Sequence, residues 1–548
     1  MIHQRKILKA IAYAILLCFT SLTGAQPLYA VPGNNHTPSI NTPGAGVTVT
    51  PNGEILNIHQ TGQTAVNKWN DFSIGADATV NFTGTVDGFN SFNYVKDGPV
   101  SEIYGQLNAI GGNIFIANPA GVQIGNSAQI NVGSLYVTNK DVGEALSGLN
   151  QDSTTEQIAH AINGPSVAAT NAELMSLGAI VNAKNVTFDG NRIVLDTDRI
   201  FTEQNGEQTK VDDTALADIL TVKTTDADKV VLGYATDDFS DTQEFRITAD
   251  GKPEDVTRYM WVETLEQLRS MGDNLNGRYA LRNSIDANST LGEHFAPIGS
   301  EGENKEFTGR FDGLGHTIFG LTVDTTQSNG ASDSAGLFGR TKDAHIRNFT
   351  LNGGSVTGGS DTGSAVGHAE GGFIENITNT FKVSGVTNTG GLVGYADNVT
   401  MSGLVNTGEV AGSAGGRQNT ESDTGGIVGR MKGGSIGGET YNLGNVSGNY
   451  DVGGIAGHVT GGAKIGNEAT EEAKASEETP EPFVIYNSLG VTGQYNVGGI
   501  VGNMEGGSSV KNAANYGKVK AEGSAPRRYS TPSCPRLRSI STVLAIRS

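Results

Sequence analysis

The residues able to do chemistry are scattered. Nine histidines are spread over 548 positions, and none lies in the H-E-x-x-H pair that holds zinc on one helix face. There is no G-x-S-x-G elbow, no P-loop and no C-x-x-C pair. His316, His368 and His458 follow or sit inside glycine clusters, where corner positions account for them, and Asp312 beside Gly313 reads as a turn residue. Asp212, Asp213, Asp226, Asp228, Asp237, Asp238 and Asp241 crowd residues 205–255. Calcium would need alternating oxygen ligands around a turn glycine. Neither D-x-[DN]-x-[DN]-G nor G-G-x-G-x-D occurs, so the stretch reads as a solvated linker or excursion. No catalytic, cofactor-binding or metal-ligating residue is assigned, and an enzyme is not expected. Asn118-Pro119-Ala120-Gly121 suits a β-turn, because Pro presets φ at the second position and Gly accepts what other residues cannot. Such a turn either orders the chain around it or touches a partner. Trp69 and Phe72 read as core or cap residues rather than ligand platforms.

The elements that must position these residues are short strands. Ile55-Leu56-Asn57-Ile58, Thr79-Val80-Asn81-Phe82 and Asn113-Ile114-Phe115-Ile116-Ala117 are β runs at spacings that fit a sandwich, a barrel or a solenoid. One helix is expected near Thr155 to Ile162. Ala179 to Phe188, the turn Asp189-Gly190-Asn191 and Arg192-Ile193-Val194-Leu195 read as strand, tight turn, strand. The last half is openly repetitive. Six glycine–aliphatic motifs end at Gly339, Gly367, Gly394, Gly429, Gly457 and Gly502, separated by 28, 27, 35, 28 and 45 residues. The longest gap holds Glu468 to Pro482, an acidic insertion of the kind a solenoid tolerates. Two apolar side chains per motif would stack on neighbouring copies, while glycine permits corners and close backbone approach. About 20 coils at ~4.8 Å would give a rod on the order of 100 Å.

Composition agrees with thin, repeated cores. Glycine numbers 77, about twice the usual share of roughly 7%, yet no Gly-X-Y period exists, which excludes collagen. Arg5, Lys6 and Lys9, the apolar run from Ala10 to Leu22, and small residues at Ala25 and Ala30 form a secretory signal peptide pattern. Cys18 lies in that leader and Cys534 is the other cysteine, so the exported chain is expected to hold without disulfides. The net charge of −20 hides a basic leader and a basic tail, leaving a body acidic enough to repel nucleic acid and anionic lipid. Residues 526–548 carry five Arg, no acid and three Pro, and read as a truncated or frame-shifted end rather than a genuine tail.

Ordered blocks at residues 59–139 carry a resemblance. They are His59-Gln60-Thr61, Asn67-Lys68-Trp69-Asn70-Asp71-Phe72-Ser73-Ile74-Gly75, Val80-Asn81-Phe82, Ile103-Tyr104-Gly105-Gln106-Leu107 and Gly112 to Val122. This stretch resembles the secretion domain of two-partner-secretion exoproteins, the filamentous-haemagglutinin and haemolysin family. Its signature is Asn-Pro-Asn-Gly, matched here by Asn118, Pro119 and Gly121 with Ala120 in third place; its Asn-Pro-Asn-Leu element has no counterpart. The repeats at 335–502 look like GLUG-type repeats of bacterial surface proteins. Together the resemblances imply an all-β, right-handed parallel β-helix and passage through a partner outer-membrane transporter. They mark Asn118, Pro119 and Gly121 as the secretion motif, and Gln60, Trp69, Phe72, Gly75 and Gln106 as structural residues of the secretion domain.

The expected organisation is a signal peptide at 1–30, a two-partner-secretion (haemagglutination activity) domain at 31–255, a β-rich lead-in at 256–330, GLUG-type repeats at 331–520 and the basic tail at 521–548. The expected function is a secreted or surface-retained adhesin, with the transporter and a cell-surface receptor or glycan as partners and no cofactor. The alternatives are the stalk of a haemolysin or contact-dependent toxin, and a β-helical carbohydrate-active enzyme with paired carboxylates in a groove. An autotransporter is disfavoured, since no C-terminal run of alternating ten-residue strands occurs.

Overall fold

The computed structural model describes residues 33–523 apart from 154–156, 159–160, 162–171, 205–206, 241, 303, 327–333, 414–421 and 467–484. The leader, most of the basic tail, the acidic insertion and most of the helix expected near Thr155 lie outside the described residues. The chain is a right-handed parallel β-helix with 53% strand and 8% helix. Its N-terminal end is closed by antiparallel pairs. Ser39–Thr42 lies against Thr64–Asp71, and Val47–Asn52 against Ile55–Gln60. These hairpin edges cover the first coil, which would otherwise present unpaired backbone groups.

From there strands pair in parallel, like residue over like residue. Ile55–Gln60 stacks on Thr79–Gly84 with Leu56 over Val80 and Ile58 over Phe82. Gln106–Ala117 is one long strand that continues the stack under Gln129–Thr138. Alternation explains the arrangement: Leu107, Ala109, Ile114 and Ile116 point inward, and Ile110 is left outside at the bend. Asparagines on the outer rows form a ladder of side-chain amides, Asn81 to Asn57 at 3.0 Å, Asn108 to Asn81 at 3.0 Å and Asn131 to Asn108 at 3.1 Å.

Strand, turn, strand is found around Asp189-Gly190-Asn191, but the two strands do not pair with each other. Asn185–Asp189 pairs with Gln129–Thr138 and Leu220–Thr224, whereas Arg192–Asp196 pairs with Glu173–Ser176 and Val230–Tyr234 in another sheet. The turn is a coil corner. Contrary to expectation, 205–255 is not a solvated linker. It supplies two strands of the helix, Leu220–Thr224 and Val230–Tyr234, and the hairpin Glu244–Ala249 with Lys252–Thr257. Its aspartates terminate elements: Asp212 caps helix Asp213–Ile219 through the Ala215 amide at 2.8 Å, and Asp226 accepts from the Asp228 amide at 3.1 Å.

In the stalk one coil has four strands on four faces, as in Phe373–Asn379, Lys382–Gly385, Asn388–Gly390 and Val393–Asp397. The glycine–aliphatic motif spans the bend between the last two faces. Leu337, Ala365, Leu392, Ile427 and Ile455 form one fully buried column, and Phe338, Val366, Val393, Val428 and Ala456 another. Each large aliphatic buried this way contributes roughly 1.5–3 kcal/mol. The motif glycines are required by close approach. A Cβ on Gly426 would lie 2.2 Å from the Gly454 carbonyl oxygen, and one on Gly391 would lie 2.1 Å from that of Gly426. Beneath them runs a ladder, Asn379–Asn406–Asn442–Asn487–Asn515, buried as far as Asn487 and exposed at Asn515, with amide-to-amide distances of 2.8, 2.8, 2.7 and 2.7 Å. The described coils number about fifteen, which at ~4.8 Å each make a shaft of roughly 70 Å rather than 100 Å. The shortfall arises because each coil uses more chain than the sequence spacing of the early strands indicates.

Two apolar cores fill the shaft. One runs from Leu56 to Val256, the other from Tyr234 to Ile485. The second begins on a column of rings, with Phe307 and Phe338 centroids 4.8 Å apart and Phe311 and Phe349 5.3 Å apart. Trp261 lies in a smaller separate cluster with Val194, Val231, Tyr259 and Ala280, and fits because Gly233 has no Cβ: one would fall 1.9 Å from the indole.

Candidate functional site

The Asn118 turn is built from the inside. Asn118 is fully buried, and its Nδ2 donates to the Pro99 carbonyl oxygen at 2.7 Å and to Ser101 Oγ at 3.0 Å. Its Oδ1 accepts from the Ala120 amide at 2.9 Å, and its carbonyl oxygen accepts from the Gly121 amide at 2.9 Å. The Gly121 carbonyl returns to the Ser101 amide at 3.1 Å. Gly121 has φ +115°, and a Cβ there would lie 2.8 Å from the Glu173 carbonyl oxygen. So Asn118 and Gly121 are committed within the fold. What the turn presents outward is Pro119, half-buried, and Ala120, exposed.

The other expected residues divide. Gln60 is buried, and its amide ties the Gly62 carbonyl at 3.0 Å to the next coil at Asn90, 3.3 Å away. Trp69 and Phe72 are buried edge to face at 5.0 Å, with the indole N–H donating to Asn93 Oδ1 at 3.1 Å. Gly75 lies against the capping segment, where a Cβ would fall 2.2 Å from the Gly33 carbonyl oxygen. Gln106 differs from expectation. It opens its strand with an exposed side chain, so only its backbone, which bonds the Ala78 carbonyl at 2.9 Å, serves the fold.

A cleft of about 790 Å³ opens over Trp69, flanked by Lys68, Lys96, Tyr94, Asp141 and Glu144. Tyr94 donates to Asp141 at 2.6 Å. Burial first, and then that carboxylate, push the Tyr94 pKa up, while the same hydrogen bond holds Asp141 below its ordinary range. Both signs of charge line the cleft, so it offers no single-sign field to a polyanion.

A second cluster was not legible as a motif. On one stalk face Asp361, Asn388, Asp423, Asp451 and Asn496 stack in register, and on the adjoining face so do His368, Tyr395, Arg430, His458 and Asn503. The two columns face each other across the bend. His368 Nδ1 and Asp361 Oδ2 make an ordinary contact at 2.8 Å. Lower down, Asp423, Asp451 and His458 converge, with ligand atoms all within 4.8 Å of one another. Burial raises the Asp423 pKa and the facing His458 opposes it; the two carboxylates, Asp423 first, hold His458 above its ordinary range. The signal was available in the repeats: the acid or amide always lies six residues before the last motif glycine, and its partner one residue after it.

Residues 34–249 match the family model described as TPS secretion domain. The chain is similar to halomucin of Haloquadratum walsbyi, 34% identical over 145 residues, which is 25% of this chain and 2% of halomucin. It is also similar to a heme/hemopexin-binding protein of Haemophilus influenzae, 37% identical over 90 residues, 16% of this chain and 10% of that protein. The matches thus span a tenth or less of the relatives' length. The solved HMW1 secretion domain from Haemophilus influenzae overlays 88% of this chain and all of its own at 13% identity, with a TM-score of 0.24, too low for any detail to be carried across. The TPS match, lying on the coils that hold the Asn118 turn, supports a two-partner-secretion exoprotein.

Proposed function

We propose that the chain is a secreted, filamentous-haemagglutinin-like adhesin, delivered through a partner outer-membrane transporter and acting by binding a cell-surface receptor or glycan rather than by catalysis. The observation that carries the reading is the unbroken parallel stack. The strands of the matched region at 34–249 pass in register through the lead-in into the repeats: Val230–Tyr234 pairs Tyr259–Val262, that strand pairs Arg278–Leu281, and Arg310–Asp312 links the latter to His345–Asn352. An extended, regular shaft of this kind displays a large side surface and suits presentation of a binding face at a distance. The outward part of the Asn118 turn, Pro119 and Ala120, is the portion left free for the transporter. The test is expression of the full chain with and without the transporter encoded in the same genome, followed by a screen of the released protein against cells, matrix proteins and glycans. Transporter-dependent release with saturable binding is expected. Release without any binding would overturn adhesion, and periplasmic retention in both cases would overturn the secretion route.

A further inference from the structure

We propose that Asp423, Asp451 and His458 form a site for one divalent transition-metal ion of the zinc type, a cross-brace between consecutive coils of the stalk. The distances are those of a ligand set. His458 Nδ1 lies 3.3 Å from Asp451 Oδ2 and 3.6 Å from Asp423 Oδ2. Charge-assisted N–H···O contacts close to about 2.7–2.9 Å, as the equivalent pair His368–Asp361 does at 2.8 Å three coils earlier. Ligand atoms about 2.0–2.2 Å from a tetrahedral ion stand roughly 3.3–3.6 Å apart. Both His458 distances fit the second geometry, not the first.

Independent observations point the same way. Asp423 is 1% exposed and its Oδ2, the atom facing His458, has no hydrogen-bond partner. An orphaned carboxylate oxygen at that depth is costly unless a cation meets it. The cation already near it, the Arg430 guanidinium, stays 3.5 Å away. The outer contacts orient the ligands as metal sites require. Asn496 donates to Asp451 Oδ1 at 2.7 Å and Asn503 to Asp451 Oδ2 at 3.2 Å, which fixes that carboxylate. The chemistry, one imidazole nitrogen and two carboxylate oxygens, suits zinc better than calcium, which takes six to eight oxygens. The ligands come from successive coils, so the site exists only once those coils have stacked. The metal then locks a chain whose described residues carry no disulfide.

Equilibrium dialysis of the metal-stripped full chain against Zn²⁺ alone, with metal analysis and thermal melts, tests this. One Zn²⁺ per chain and a rise in the melting temperature of the stalk are expected. D423N and H458Q should each weaken binding at least about tenfold, whereas D361N, at the closed His368 pair, should leave binding unchanged. Circular dichroism of H458Q shows whether its stalk is folded. Absence of stoichiometric Zn²⁺ binding by the wild-type chain would overturn the site whatever the variants do, and so would an equal loss in D361N.

Discussion

Single residues decide two questions that the sequence leaves open. Asn118 was readable as a turn former, but not that its whole side chain is spent on Pro99, Ser101 and Ala120. Pro99 and Ser101 come from another coil, and no local pattern reveals them. Asn118→Ala should therefore cost about 2–4 kcal/mol, because it leaves buried groups unpaired. Ala120→Asp alters the exposed tip and should leave the denaturation midpoint unchanged. Comparing secretion of the two separates roles that secretion alone confuses. If A120D is released normally while N118A is unstable, the turn acts through folding; if A120D folds but stays in the periplasm, the tip is a docking contact. His316 was readable only as a corner residue. Its imidazole is buried with Nε2 unpartnered, and burial pushes its pKa down to about 4 against a small opposing pull from Asp312. A depressed histidine favours the neutral folded state. Its contribution is thus fully present above about pH 6.5 and lost as pH falls from there toward 4, reaching about 3 kcal/mol below that. His316→Gln keeps the backbone contact to Gly313 and should flatten stability over that window. Parallel pH–stability curves for wild type and variant would show the assignment to be wrong.

At the scale of the element, the six glycine–aliphatic motifs reveal a coil but not its cross-section. Apolar pairs and glycines recur at nearly fixed spacing, so the inward column and the close approach at Gly391 and Gly426 were foreseeable. The asparagine ladder was hidden, since insertions break its spacing and a lone Asn in a loop reads as a turn residue. Facing rows such as Asp423 and His458 were hidden for another reason: they become neighbours only when the bend between faces is known. The ladder carries a firm expectation. Asn442 Oδ1 accepts from Asn406, and its Nδ2 donates to Asn487 and to the Gly444 carbonyl oxygen, all of it buried. Asn442→Ala strands both neighbouring amides and should cost about 3–5 kcal/mol. Hydrogen exchange should show the loss at Thr400–Asn406 and Ile485–Asn487, with Ile55–Gln60 protected as before. Uniform loss along the chain would mean that the coils do not hold their stability locally.

For the whole molecule, the question is how far two cores behave as one body. In a solenoid each coil touches only its neighbours, so stability adds along the axis and cooperativity depends on the weakest junction. Here that junction, between the cores ending at Val256 and beginning at Tyr234, is pinned by charge. Arg282 bridges Asp196 and Glu263; Arg310 pairs with Asp228; and Arg347 joins Asp312 at 2.7 Å to the Asp228 carbonyl oxygen at 2.9 Å. Asp196 is the deepest of these, its side chain 1% exposed, and burial raises its pKa against the lowering pull of Arg282. Removing the guanidinium strands that carboxylate. Arg282→Met should cost about 3–5 kcal/mol near neutral pH. The cost should shrink in acid, where Asp196 takes up a proton and the charge disappears. Because the loss falls at the junction and not within either core, melting of the variant should split into two transitions, with residues 34–249 unfolding apart from the repeats. A single transition, merely lowered, would instead show that the continuous backbone ladder through Val230–Tyr234, Tyr259–Val262 and Arg278–Leu281 carries the coupling without help from the ion pairs.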